Sequence, residues 1–162
     1  MKPEINIRNI LITDNKLLAV LIRDTMTEFG VNRPNTVFDD PRTDFLFEEF
    51  QKNRSVYNVA EINGQLAGGA GIYPTIGLPG DTCELVKMYL KPQARGIGLG
   101  RMLIEKCISQ AKELGYKNIY LESMPELKKA LSVYENIGFE YIKGPMGDSG
   151  HSGCGLWMLK KL

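Results

Sequence analysis

The chain has 162 residues, 43% of them hydrophobic and 24% charged, with a formal net charge of +1. That length suits one compact domain over 1–162, burying roughly two-thirds of its unfolded surface, and the composition excludes disorder as the default. A near-zero charge argues against extensive nucleic-acid binding, and no apolar run approaches the ~20 residues of a membrane span.

Met1 to Asn9 alternates polar and apolar residues without a signal-peptide core. Ile5, Ile7 and Ile10 give a first strand. Leu17, Leu18, Leu21, Ile22 and Met26 then recur at helical spacing from a start near Thr13 or Asp14, and Gly30 stops that helix. The segment 31–42 is a loop, followed by a short helix around Asp44 to Asn53. Val56 to Ile62 and Leu66 to Tyr73 flank Asn63-Gly64, the pair that supplies the positive φ angles of a two-residue hairpin turn. A strong strand runs from Thr82 to Leu90, and a long amphipathic helix from about Gly98 to Leu114. Ile119 to Leu121 is a further strand. Ser123-Met-Pro-Glu126 has the form of a capping box opening a helix with Leu127, Ala130, Leu131, Tyr134 and Ile137 on one stripe, closed by Gly138. Phe139 to Ile142 and Gly155 to Leu159 are the last strands. Hairpins mixed with strand–helix–strand crossovers imply an α/β (α+β) fold, one mixed sheet covered by helices.

Cys83, Cys107 and Cys154 show no zinc spacing and read as free thiols in a reducing, cytoplasmic compartment; no metal is expected. His151, the single histidine, lies in Gly147-Asp-Ser-Gly-His-Ser-Gly153 and reads as a surface-loop residue outside the catalytic set.

The most informative stretch is Met88-Tyr-Leu-Lys-Pro-Gln-Ala-Arg-Gly-Ile-Gly-Leu-Gly-Arg101, between a strand and a helix. Gly96, Gly98 and Gly100 let a ligand approach the backbone. The first N–H groups of the helix lack internal partners, and its dipole favours negative charge there. The result is an anion site suited to a pyrophosphate, to which Arg95 and Arg101 can add charge. A dinucleotide fingerprint would place the third glycine one position later, although Glu122 near the end of the next strand keeps a nicotinamide enzyme open. A P-loop fails, because no Gly-Lys-Ser/Thr follows.

Gln93-Ala-Arg-Gly96-Ile-Gly98 resembles the acetyl-CoA signature of the GCN5-related N-acetyltransferase (GNAT) superfamily. Ala130-Leu-Ser-Val-Tyr134-Glu-Asn-Ile-Gly138-Phe139 resembles its second common motif, and the similarity covers residues 82–142. The resemblance implies a mostly antiparallel sheet with about four helices. It implies acetyl-CoA as acetyl donor, with the main chain of Met88, Tyr89 and Leu90 along the pantetheine arm and amides of Arg95, Gly96, Ile97, Gly98, Leu99, Gly100 and Arg101 on the pyrophosphate. Where many relatives carry Asn seven residues before the tyrosine, this chain has Leu127.

Acetyl transfer to an amine needs a base, a polarised thioester carbonyl and a proton for the departing thiolate. Glu84 is the candidate base. It alternates with Val86, Met88 and Leu90, so it shares their face and burial would raise its pKa; a structural ion pair is the competing reading. Lys87 and Tyr89 fall on the opposite face. Tyr134 reads from its stripe as a core tyrosine, but the resemblance makes it the acid that protonates the coenzyme A sulfur. The expected activity is an N-acetyltransferase acting by direct attack in a ternary complex on a small-molecule or peptide amine; the alternative is a noncatalytic acyl-CoA sensor. Oligomeric state is open, a homodimer included.

Overall fold

A computed structural model describes all residues 1–162. The strands are β1 (Ile5–Asn9), β2 (Val56–Ile62), β3 (Gln65–Tyr73), β4 (Thr82–Leu90), β5 (Asn118–Ser123), β6 (Glu140–Ile142) and β7 (Leu156–Lys161). The helices are α1 (Asn15–Glu28), α2 (Leu46–Glu49), α3 (Leu99–Glu113) and α4 (Lys128–Ile137). The sheet runs β1-β2-β3-β4-β5-β7-β6, with β4 and β5 parallel and every other neighbour pair antiparallel. No helix is long and apolar enough to cross a membrane.

One face of the sheet is covered by α3 and α4. Leu99, Leu103, Ile104, Cys107 and Ala111 of α3 and Leu131 and Tyr134 of α4 pack there on Ala70, Ile72, Cys83 and Leu85. The other face carries α1 and α2, with Leu18, Leu21, Ile22, Met26 and Leu46 against Tyr57, Val59 and Leu66. Each fully buried aliphatic side chain contributes about 1.5–3 kcal/mol, so the two stripes decide which helix lies on which face. Asn63 (φ 51°) and Gly64 (φ 78°) form the β2–β3 turn with both residues left-handed, as the Asn-Gly pair requires.

The capping box does not form. Ser123 is the last residue of β5, paired with Leu156, and α4 begins at Lys128 with no side-chain cap. Glu126 instead forms an ion pair with Arg33. Pairing with β7 outweighs a local cap worth ~1 kcal/mol.

Strand β4 carries the feature that shapes the site. Gly69 pairs with Tyr89 and Gly71 with Val86, so Lys87 and Met88 together oppose Ala70 alone. This β-bulge puts Lys87 in the left-handed region (φ 54°) and reverses the alternation beyond it. Val86 and Tyr89 therefore pack on the α1 side, while Met88 and Leu90 pack on the α3 side. The expectation that Met88 and Leu90 share Glu84's face, with Lys87 and Tyr89 opposite, is overturned.

Tyr57 holds the bulge. From β2 its ring crosses β3 where a Cβ on Gly69 would stand 2.7 Å from it, and its hydroxyl donates to the Lys87 carbonyl at 2.8 Å. The glycines of β3 clear the lane for that ring.

Candidate active site

Strands β4 and β5 pair only over Thr82↔Asn118, Cys83↔Ile119 and Glu84↔Tyr120. Past that point β5 stays with β7 as far as Ser123↔Leu156, β4 stays with β3 as far as Gly68↔Leu90, and the two part. Residues 85–90 consequently present a sheet edge with no β5 partner, an opening into which an extended ligand can add backbone hydrogen bonds.

Beside that edge lies the glycine turn. Gly96 (φ 78°) and Gly98 (φ 84°) are left-handed, and a Cβ on either would meet nothing within 4 Å. Their role is conformational, and they leave the turn open. Gly100 is different: a Cβ there would make ordinary contact with the Leu90 and Met88 side chains at 3.5 and 3.6 Å, where α3 packs beside β4. Gly98 is the N-cap of α3 without a side-chain cap, and the Met102 amide is the first to bond back, to Gly98. The amides of Leu99, Gly100 and Arg101 thus lack helical partners, with no acidic residue in the first turn.

The arginines divide. Arg101 is half exposed and pairs with Glu105 at 2.8 Å, on the solvent side of α3. Arg95 does not add charge to the turn. Its guanidinium binds Glu28 at 2.7 and 3.1 Å, donates to the Leu90 carbonyl and lies 5.1 Å from the Phe29 ring centroid. It ties the end of α1 to the end of β4. Ile97 is exposed, and the Tyr89 side chain is turned into the α1-side core.

Glu84 sits where the strands part, 4% exposed, and accepts from the Thr75 hydroxyl at 2.6 Å through Oε1. Burial, then the nearby Glu122 charge, raise its pKa to about 7, against the Thr75 hydrogen bond and the Lys87 and Arg42 charges. A carboxyl poised there can take a proton at neutral pH. It lines a cavity of about 80 Å³ with Arg42, Tyr73, Thr75, Lys87, Ser149 and His151 among its walls. Burial lowers the Lys87 ammonium from its ordinary value, opposed first by Glu84.

His151 is not a loose surface residue. Its side chain is only 10% exposed, and Nε2 lies 2.7 Å from Oδ2 of Asp40. Asp40 also accepts from Arg42 at 2.7–3.1 Å, and Arg42 reaches the Ser149 carbonyl. Ser149 donates to Glu122, and the Met146 amide donates to Tyr120. The glycine-rich loop is thereby folded over Glu84's cavity. The single missing cue was the partner, which stands 111 positions away.

Tyr134 is 7% exposed and lies edge-on to Phe139, 5.9 Å between ring centroids. It is not among the residues lining Glu84's cavity. Its hydroxyl has no protein hydrogen bond and, since no sealed side-chain polar atom is unpartnered, is not fully closed off. Burial raises its phenol above the usual value, keeping it protonated. All three cysteines are free, each pushed up to about 12, chiefly by burial, and so are poor nucleophiles at neutral pH. No group of three or more His, Cys, Asp or Glu is placed to hold a metal ion.

Residues 19–139 match the family model described as the acetyltransferase (GNAT) family. The chain belongs to that family. The acetyltransferase is 39% identical over 157 residues, 96% of its own length and 93% of the other's, to the uncharacterised N-acetyltransferase YjgM of Escherichia coli. Its fold superposes on a GNAT acetyltransferase of Staphylococcus aureus with a TM-score of 0.86, covering 98% and 99% of the two chains at 22% identity. The PaiA N-acetyltransferase of Thermoplasma acidophilum, solved in complex with coenzyme A, gives 0.78 at 19% identity, covering 98% and 99%. This protein is an N-acetyltransferase with the seven-stranded GNAT sheet.

Proposed function

We propose that residues 1–162 act as one N-acetyltransferase domain that takes acetyl-CoA as donor and a small-molecule or peptide amine as acceptor, by direct attack in a ternary complex. The observation that carries this reading is the juxtaposition of an uncapped glycine turn with an unpaired strand edge, in a member of this family. The main chain of Met88, Tyr89 and Leu90 holds the pantetheine arm. Amides of Gly96, Ile97, Gly98, Leu99, Gly100 and Arg101 hold the pyrophosphate, while the Arg95 amide, expected among them, donates to the Pro92 carbonyl. Coenzyme A in the Thermoplasma neighbour supports this ligand class.

In the reaction the acceptor ammonium gives a proton to Glu84, directly or through water. The free amine attacks the acetyl carbonyl carbon, which a main-chain N–H near Met88 polarises. The new N–C bond forms, the C–S bond breaks, and Tyr134 protonates the departing thiolate. Glu84's raised pKa and Tyr134's unbonded hydroxyl support these roles. Stabilisation by acetyl-CoA but not NAD in a thermal melt, with thiol release on adding amines, is the expected result. Stabilisation by NAD alone would sink the reading.

A further inference from the structure

The cavity beside Glu84 holds three cations of unequal freedom. Arg42 is committed: Asp40 grips it through both oxygens, and it also donates to the Ser149 carbonyl. Lys52 is exposed on the rim. Lys87 is half-buried, forms no ion pair and donates no hydrogen bond, although Glu84 is the nearby charge that favours its ammonium most. No sealed side-chain polar atom lacks a partner, so the Lys87 ammonium is not closed off, and Lys87 is one of the residues lining the cavity. Glu84, which lines the same cavity, bonds only to Thr75 through Oε1, which leaves Oε2 without a protein partner. The two opposite charges line one cavity without closing to the 4 Å of an ion pair. A half-buried ammonium held short of its natural partner is an arrangement that desolvation disfavours unless something supplies the missing counter-charge.

We infer that the acceptor is a free α-amino acid, its ammonium against Glu84 and its carboxylate on Lys87. The inference rests on the acetyl-transfer reading above and narrows its acceptor. A zwitterion fits because it carries both charges a few atoms apart and neutralises both walls at once. The cavity, at about 80 Å³, exceeds by several times the ~10–15 Å³ that admits one water. Phe50, Tyr73, Ile76 and Val86 offer an apolar wall for the side chain. One proton leaves the ammonium for Glu84, the N–C bond forms as C–S breaks, and the products are an N-acetylamino acid and coenzyme A thiol. Lys87 takes no part in bond changes; it is a specificity residue.

The test follows thiol release from acetyl-CoA with the twenty L-amino acids, their carboxamides, their decarboxylated amines and matching dipeptides. One or more free amino acids should exceed the matched carboxamide in kcat/KM by about tenfold to a hundredfold, the worth of one charge-assisted hydrogen bond. In Lys87→Met that ratio should fall towards one, while Lys87→Arg retains part of it. Lys87→Asn, which tolerates the left-handed backbone, serves as a second neutral variant should Lys87→Met fold poorly. Equal turnover of acids and amides, a preference for dipeptides, or a preference that survives both neutral variants would overturn the inference. No turnover across the panel with acetyl-CoA stabilising the protein would overturn it alone. No stabilisation by acetyl-CoA would overturn the donor assignment as well.

Discussion

Replacing Glu84 with glutamine should slow the enzyme and stabilise it, and the gain in stability should depend on pH. The carboxyl is 4% exposed, and its pKa rises from an ordinary 4.5 to about 7. Between those values the folded state holds a proton that the unfolded state has released, so wild-type stability falls as pH rises. The loss is complete above about 7. At 1.36 kcal/mol per tenfold change in the proton equilibrium it reaches about 3 kcal/mol. Glutamine keeps an oxygen for the Thr75 hydroxyl and carries no charge to desolvate. Glu84→Gln should therefore match wild type near pH 4.5 and exceed it by up to about 3 kcal/mol at pH 8.5, roughly 6–12 °C in Tm for a chain of this size. Thiol-release assays should show the opposite trend, with wild-type kcat/KM rising through about pH 7 and the variant losing a hundredfold or more of the rate at pH 8. A Tm difference that does not grow with pH would refute the desolvated carboxylate, and an unimpaired rate would refute its role as base.

Other substitutions separate structural from chemical roles. Tyr134→Phe should change stability by less than about 0.5 kcal/mol, because the hydroxyl bonds to nothing in the protein, yet lower kcat at least tenfold; denaturant melts and steady-state rates check this. Tyr57→Phe should cost about 1–2 kcal/mol in urea melts by freeing the Lys87 carbonyl and loosening the bulge. Gly98→Ala should cost about 1–2 kcal/mol, since the position is left-handed though sterically open, and should weaken acetyl-CoA binding measured by calorimetry. Asp40→Asn should cost about 2–3 kcal/mol at pH 7 by releasing Arg42 and His151.

Local signals carried most of the fold. Asn63-Gly64, the stripe of α3 and Gly138 each act within a few residues, and the elements they mark are present. The glycine turn was legible for the same reason: an uncapped helix start depends on neighbours in sequence. What failed were features decided by distant partners. Cys83 to Leu90 is apolar except for Glu84 and Lys87, and a regular strand puts those two on opposite faces, so the bulge that brings them to one cavity was not read from β4 alone. The cue lies in the glycines of β3, which read as room for a close approach, and in Tyr57, which uses it. Ser123 and Glu126 spell a cap, but β7 claims Ser123 and Arg33 claims Glu126. Arg95 looked like anion charge until Glu28 took it, and His151 looked idle until Asp40 was placed beside it.

The most direct test of the donor site is a crystal structure with acetyl-CoA bound. The account predicts the pyrophosphate on the amides of residues 96–101 and the pantetheine arm paired with the open edge of β4 through Met88 and Leu90. A cofactor lodged elsewhere, with those amides and that strand edge left facing solvent, would contradict it.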